Sequence, residues 1–252
     1  SLDKLVGAMA TNLLVVSESE RQFLIEEVIL NPAKSKVLGS GSICGIDLDR
    51  FKPDEDQRKR LRTSLDIAEE DTIFLFVGRL NRDKGIIDLL EAFNSLKDSP
   101  KNRQIHLFIV GPDEENIFQW FQMQNYRMKN QIHFFPYTDE PQNFLTSVDV
   151  LILPSHREGF GLVIMEAAAV KIPAIGSRIY GITDAIVENQ TGLLFEPGNI
   201  SDLTVQLEKL MNDTAFRDEL GAAAYYRCVD KFSQQLVMKE LSQYYKMNLK
   251  TD

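Results

Sequence analysis

The sequence predicts an α/β protein built on a doubly wound parallel sheet, and three observations carry that prediction. Short runs of β-branched and aromatic residues recur along the chain, each closed by Gly, Pro or Ser, with segments of helical spacing between them. The runs are apolar at consecutive positions, as in strands buried on both faces. Strand and helix alternate in the order that builds parallel units with crossover helices.

The elements follow in order. The chain begins, without Met, inside a helix-like stretch, Ser1–Ala10, and runs into the apolar strand Leu13–Val16, so we expect a segment of a longer protein. Strands then read at Ser35–Gly39, Thr72–Gly78, Ile105–Gly111, Gln131–Tyr137, Val148–Pro154, Ile172–Ser177 and Gly192–Glu196, with helices between them and a final helical stretch from Phe232. The polar, Pro-containing stretch Asp47–Leu61 reads as a linker excursion between the first of these strands and the rest. The expected architecture is Rossmann-like, with helices on both faces and ligands at the carboxyl ends of the strands.

Composition narrows the function. At 252 residues, 44% hydrophobic and 26% charged, the chain can bury one large core, or one core plus a fragment of another. No apolar run reaches a membrane span and no leader pattern opens the chain, so a cytoplasmic location is expected. The two cysteines, Cys44 and Cys228, suggest neither a disulfide framework nor a zinc site. A net charge of -9 argues against nucleic acid or anionic lipid as a general partner, so any anionic ligand must be held locally.

Two glycine-rich strand ends invite familiar readings that fail. Gly39–Gly45 (GSGSICG) misses the dinucleotide fingerprint by one residue in its last spacing, and no helix follows. In Phe76–Ile87 (FVGRLNRDKGII), Lys84 precedes its glycine, so the loop is no P-loop. Asp83 reads as the N-cap of the next helix, with Lys84 in its first turn. Singly, Arg79 and Lys84 are ordinary surface cations; together on one loop at a strand's carboxyl end they suit a diphosphate.

His156–Ala167 (HREGFGLVIMEA) strengthens that case. Its apolar second half predicts a buried helix starting at Gly161 or Leu162, whose first amides form an anion site. Glu158 lies in the loop before the helix. Glu166, just over one turn inside it, can return towards the strand ends and accept two hydrogen bonds from a diol such as ribose. Read separately, Glu158 is an exposed loop acid and Glu166 a helix-end charge or a partner for Arg178. His156 stands two residues before Glu158 but has no acid beside it in sequence, while His106 and His133 read as core or edge residues and Cys44 as a small hydrophobe.

The spacing Glu158-x7-Glu166, the loop Phe76–Gly85, the early turn Gly41–Phe51 and the later segment Gly181–Phe195 together resemble the donor-binding domain of retaining glycosyltransferases of family 4, which have the two-domain GT-B fold. The resemblance covers nearly the whole chain from Ser35. It implies that residues 1–34 end the N-terminal acceptor domain, that 35–252 bind a nucleotide-sugar donor, and that the last helix crosses back to the acceptor domain. By that resemblance Glu158 touches the donor sugar, Glu166 the ribose, and Arg79 and Lys84 the diphosphate beside the amides near Phe160, Gly161 and Leu162; Tyr137 lies by the base. No metal or other cofactor is implied, and Asp54–Asp56 reads as a solvated acidic run.

The GSGS form of the early turn resembles bacterial enzymes of surface-glycan synthesis. That implies a UDP-linked hexose or N-acetylhexosamine donor, a saccharide or lipid-linked acceptor, and a place in the cytoplasm or at the cytoplasmic face of the inner membrane. Tyr180–Asp184 has one glycine where many members have two, which leaves its contacts open. Two other readings stand beside transfer: a non-catalytic nucleotide-sugar-binding module, and a nucleotide-sugar epimerase of similar fold.

Overall fold

The computed structural model describes residues 2–42, 44–97 and 104–248. The chain opens with α1 (Leu2–Met9), β1 (Leu13–Val15), α2 (Glu18–Glu26) and β2 (Ser35–Val37). Ser17 starts α2 by accepting from the Glu20 amide. β1 and β2 pair in parallel as a sheet of their own. Ser35–Gly39 is therefore not the first strand of the main sheet, as the sequence suggested. Its Lys36 is exposed, and a strand covered by helices on both faces would have to bury it.

α3 (Glu55–Ser64) corrects a second expectation, because the stretch taken for a linker becomes helical at Glu55. The Asp54 carboxylate caps it by accepting from the Gln57 amide, so Asp54–Asp56 is a helix start. The side chain that α3 buries is Arg62, whose guanidinium donates to Asp149 (2.7 Å) and to the carbonyls of Ala68 (2.8 Å) and Asp71 (3.1 Å). This pins α3 to the amino-terminal edge of the main sheet, away from the ligand end.

The rest of the chain is β3 (Thr72–Val77), α4 (Ile86–Asn94), β4 (Ile105–Val110), α5 (Ile117–Met123), β5 (Ile132–Phe135), α6 (Pro141–Leu145), β6 (Val150–Leu153), α7 (Leu162–Ala169), β7 (Ala174–Ser177), α8 (Ile182–Ala185), β8 (Gly192–Phe195), α9 (Ile200–Asn212), α10 (Thr214–Phe232) and α11 (Gln234–Asn248). Strands β3 to β8 form one parallel sheet in the order β5-β4-β3-β6-β7-β8. Ile73, Leu75, Phe108, Leu151 and Leu153 pack on one face with α7 and α10. Phe74, Phe76, Leu107, Ile109 and Ile152 pack on the other with α4 and α9. Burial on both faces is why these strands read as unbroken apolar runs.

The strand order reverses between β3 and β6. Crossovers leave those neighbouring strands in opposite directions, which opens a crevice above their carboxyl ends. At the far end of the chain α11 runs beside the small sheet, where Val237, Leu241 and Tyr245 line a cleft of about 270 Å³ with Leu14, Val15 and Leu38. Among the described residues no helix is long and apolar enough to cross a membrane.

Candidate functional site

The two loops at the switch point carry the central charges. After β3 the chain makes a 3-10 turn at Arg82–Lys84, capped by the Asn81 side chain, which accepts from the Lys84 amide (3.0 Å). Gly85 closes the turn with φ +67°, and a Cβ there would lie 2.0 Å from the Pro154 carbonyl oxygen. Glycine is thus what lets this turn lie against the loop after β6. Asp83 is not the cap of α4, because the added turn places it too early; its carboxylate pairs with Arg157 (2.6 Å) and its carbonyl accepts from the His156 amide (2.8 Å).

After β6, Gly161 (φ +74°) turns the chain into α7, and no side chain caps that helix. Its first amides lack intrahelical partners and present positive potential to the crevice. The helix begins at Leu162, as expected, and buries five of its eight residues. Lys84 Nζ meets Glu158 Oε2 at 2.6 Å with about a fifth of each side chain exposed, and the Ser155 hydroxyl stands 3.5 Å from the same oxygen. Glu158 is therefore an anchored acid facing the β3 loop rather than a free one.

Glu166 is half-buried and has no hydrogen bond or ion pair among the described residues. Burial raises its carboxyl above the ordinary range, and the positive charge of Arg50 partly opposes that rise. Arg178 does not answer it, being held by Glu188 (2.5 Å) and Glu196 (2.8 Å). Arg50 also lines a cleft of about 620 Å³ with Arg79, Tyr137, Gly78 and Gly111. Within it Tyr137 is largely exposed and Arg79 pairs loosely with Glu114 (3.3 Å). Arg79 and Lys84 thus sit on one loop with different partners.

The Phe160 ring is buried, 5.3 Å from that of Phe232, so its side chain is part of the core and only its main chain can face a ligand. The single glycine of the later loop suffices for close packing: a Cβ on Gly181 would lie 2.5 Å from the carbonyl oxygens of Glu158 and Gly159.

Sequence reasoning missed three contributors. Arg50 was hidden in the apparent linker. Ser17 and Ser19 come from the N-terminal segment: Ser17 Oγ donates to the Gly159 carbonyl (2.9 Å), while Ser19 Oγ donates to Asp184 and accepts from the Gly181 amide (2.8 Å). The Phe23 and Tyr180 rings stack at 4.7 Å over the same junction. Cys44 is no poised nucleophile, since burial and then the charge of Glu166 push its thiol up. Among the described residues no group of three or more His, Cys, Asp or Glu side chains is placed to hold a metal ion.

Comparison with known proteins decides the family. Residues 57–227 match the sequence profile of Glycosyl transferases group 1. The chain belongs to that glycosyltransferase family. The matched span contains Arg79, Lys84, Tyr137, Glu158 and Glu166. The chain is 29% identical over 250 residues to the capsular polysaccharide biosynthesis glycosyltransferase CapM of Staphylococcus aureus, covering 99% of this chain and 65% of that protein.

The fold of this group 1 glycosyltransferase chain is shared more widely. Sucrose-phosphate synthase from Thermosynechococcus elongatus matches with a TM-score of 0.86 at 24% identity, over 100% of this chain and 61% of that one. HepE of Anabaena, solved with UDP-glucose, matches at 0.85 and 18% identity, over 96% of this chain and 65% of that one. The chain spans under two thirds of the length of each of these relatives.

Proposed function

We propose that this chain is the donor-binding part of a retaining glycosyltransferase that takes a UDP-linked hexose or N-acetylhexosamine and transfers it to a saccharide or lipid-linked acceptor in surface polysaccharide synthesis. The observation that carries the reading is the placement of a half-buried, unpartnered Glu166 just inside the uncapped start of α7, at the sheet's switch point. An isolated buried carboxylate is unfavourable, and a ribose diol is a neutral group that completes its hydrogen bonds. HepE, which shares the fold, was solved in complex with UDP-glucose, and that supports a UDP-sugar here. CapM is a glycosyltransferase of capsular polysaccharide biosynthesis, which supports a surface polysaccharide as the product.

The roles follow from position. Lys84, Arg79 and the amides of Gly161 and Leu162 take the diphosphate, Glu158 takes hydroxyls of the sugar, and the main chain at Tyr137 lies beside the base. As the bond from the anomeric carbon to phosphate ionises, negative charge grows on the diphosphate. Preorganised donors stabilise that charge most strongly where water is excluded. The Lys84–Glu158 pair holds the cation in place before the donor arrives, so little reorganisation is needed.

These cations and amides supply the positive potential without a metal, so chelation leaves donor affinity unchanged. Residues 1–34 form the end of the acceptor domain, and α11 returns to it. The contacts of Ser17 and Ser19 with the Glu158 and Gly181 loops, and the α11 cleft against β1 and β2, support that division. Calorimetric titration with UDP, UDP-glucose and UDP-N-acetylglucosamine, each with and without EDTA, tests the proposal. Saturable binding insensitive to EDTA is expected. Failure of all three to bind contradicts it.

A further inference from the structure

His156 is the cleft residue that the donor-binding reading leaves without a role, and the structure gives it the acid that the sequence did not. Its Nε2 lies 3.0 Å from Asp88 Oδ2, on the first turn of α4. That carboxylate oxygen is shielded from solvent and has no hydrogen bond of acceptable direction. A buried carboxylate oxygen without a donor is unfavourable, and the imidazole nitrogen 3.0 Å away is a donor placed beside it. The ring nitrogen is within hydrogen-bond distance, but its N–H does not point at that oxygen. A ring turned to bring its Nε2–H on line would make it a hydrogen bond.

The pair is one stitch of a seam. Gly85 lies against the Pro154 carbonyl, the His156 amide donates to the Asp83 carbonyl at 2.8 Å, and Lys84 meets Glu158 at 2.6 Å. Residues 154, 156 and 158 of one loop thus face residues 83–88 of the other. The Lys84–Glu158 stitch is made of groups that the donor itself would engage. When phosphate and sugar draw on that pair, the His156–Asp88 contact, beside the more exposed Arg157–Asp83 pair (2.6 Å), is a side-chain stitch that still fixes the spacing of the two loops.

We propose that His156 and Asp88 are positioning residues that hold the Glu158 loop against the Lys84 turn, and so set how well the site accepts the sugar moiety of its donor rather than the nucleotide. The inference rests on the assignment of Glu158 to the sugar. A loop free to shift carries Glu158 away from the sugar hydroxyls, while the nucleotide keeps Glu166, the cleft at Tyr137 and Lys84, whose turn is held from the β3 side by Asn81.

The test is calorimetry on this chain with UDP and UDP-glucose as the probes, comparing wild type with His156→Ala, Asp88→Asn, the double variant and His156→Gln. The expected result is that His156→Ala weakens UDP-glucose by about five- to tenfold relative to UDP, the scale of one part-buried hydrogen bond. Asp88→Asn should act in the same direction, and the double variant should add little to either single change. The amide nitrogen of Gln reaches close to the position of Nε2, so His156→Gln should restore most of the loss. A merely structural role would lower the melting temperature and both affinities together, with no change in their ratio. An unchanged ratio in His156→Ala, or effects of His156 and Asp88 that simply add, overturns the proposal. If wild type binds neither probe, the donor-binding reading fails first and this inference falls with it.

Discussion

Two acids eight residues apart on one loop and helix have different surroundings, and the proposed division of labour rests on that difference. Glu158 is paired with Lys84, whereas Glu166 is left to burial and the more distant charge of Arg50. Both positions were legible in the sequence, because a charge inside an apolar helix needs an explanation. Arg50 was not, because its neighbours are polar, and Asp88 could not be matched to His156 until the fold joined their loops. A second pair of residues carries a pH prediction. His106 Nδ1 and His133 Nε2 lie 3.2 Å apart on β4 and β5. Burial lowers both imidazoles below their ordinary range, and for His106 the proximity of His133 adds to the effect. The folded state therefore binds fewer protons than the unfolded one, so this contribution to stability is present above the unfolded value of about 6.5 and is lost as pH falls through it. Glu20 and Glu166 act with the opposite sign, since their raised carboxyls favour the folded state at low pH and lose that contribution as pH rises. The His effect is isolated by comparison: between about pH 7.5 and 5.5 the melting temperature of wild type should fall more than that of His133→Gln. Parallel curves would show that the pair contributes nothing to the pH dependence.

At the scale of elements, legibility followed burial. β3 to β8 could be read because both faces are covered and every position is apolar. α3 could not, because its buried contact to the sheet edge is made by Arg62, and a charged residue leaves no hydrophobic period to detect. That arrangement makes a strong prediction. Arg62→Ala removes one of the two guanidinium groups on Asp149, which keeps Arg58 (2.9 Å) and the Ile73 amide (2.7 Å), and should cost about 1.5–3 kcal/mol in denaturant unfolding, the range for hydrogen bonds to a charged group. A loss below about 1 kcal/mol would show the contact to be dispensable. The cap of α4 was misread for a different reason, since only the left-handed conformation of Gly85 reveals the extra turn. Gly85→Ala should lower the melting temperature and weaken UDP-glucose, because the added methyl meets the Pro154 carbonyl and forces the seam apart. Unchanged thermal denaturation and binding in that variant would mean that the two loops do not need this contact.

At the scale of the whole molecule, the strand order was beyond the sequence, and it is the order that makes the site. Reversal between β3 and β6 brings Lys84 and Glu158 to one crevice from loops far apart in the chain. In a protein of net charge -9, Arg50 and Arg79 line one cleft and Lys84 stands on the same loop as Arg79, so positive groups are placed locally. The placement of β2 with β1 was equally hidden, because a three-residue strand carries too little pattern to name its partner. What the whole arrangement implies above all is a division of labour between Glu166 and Glu158, and calorimetric titration of wild type, Glu166→Ala and Glu158→Ala with UDP and UDP-glucose reads it out. Glu166→Ala should weaken both ligands by about tenfold or more, the scale of lost hydrogen bonds to a charged group. Glu158→Ala should weaken UDP-glucose while UDP binds as well as or better than before, since Lys84 is released to the phosphates. Equal effects of the two substitutions on both ligands, or no effect of either, would contradict that division.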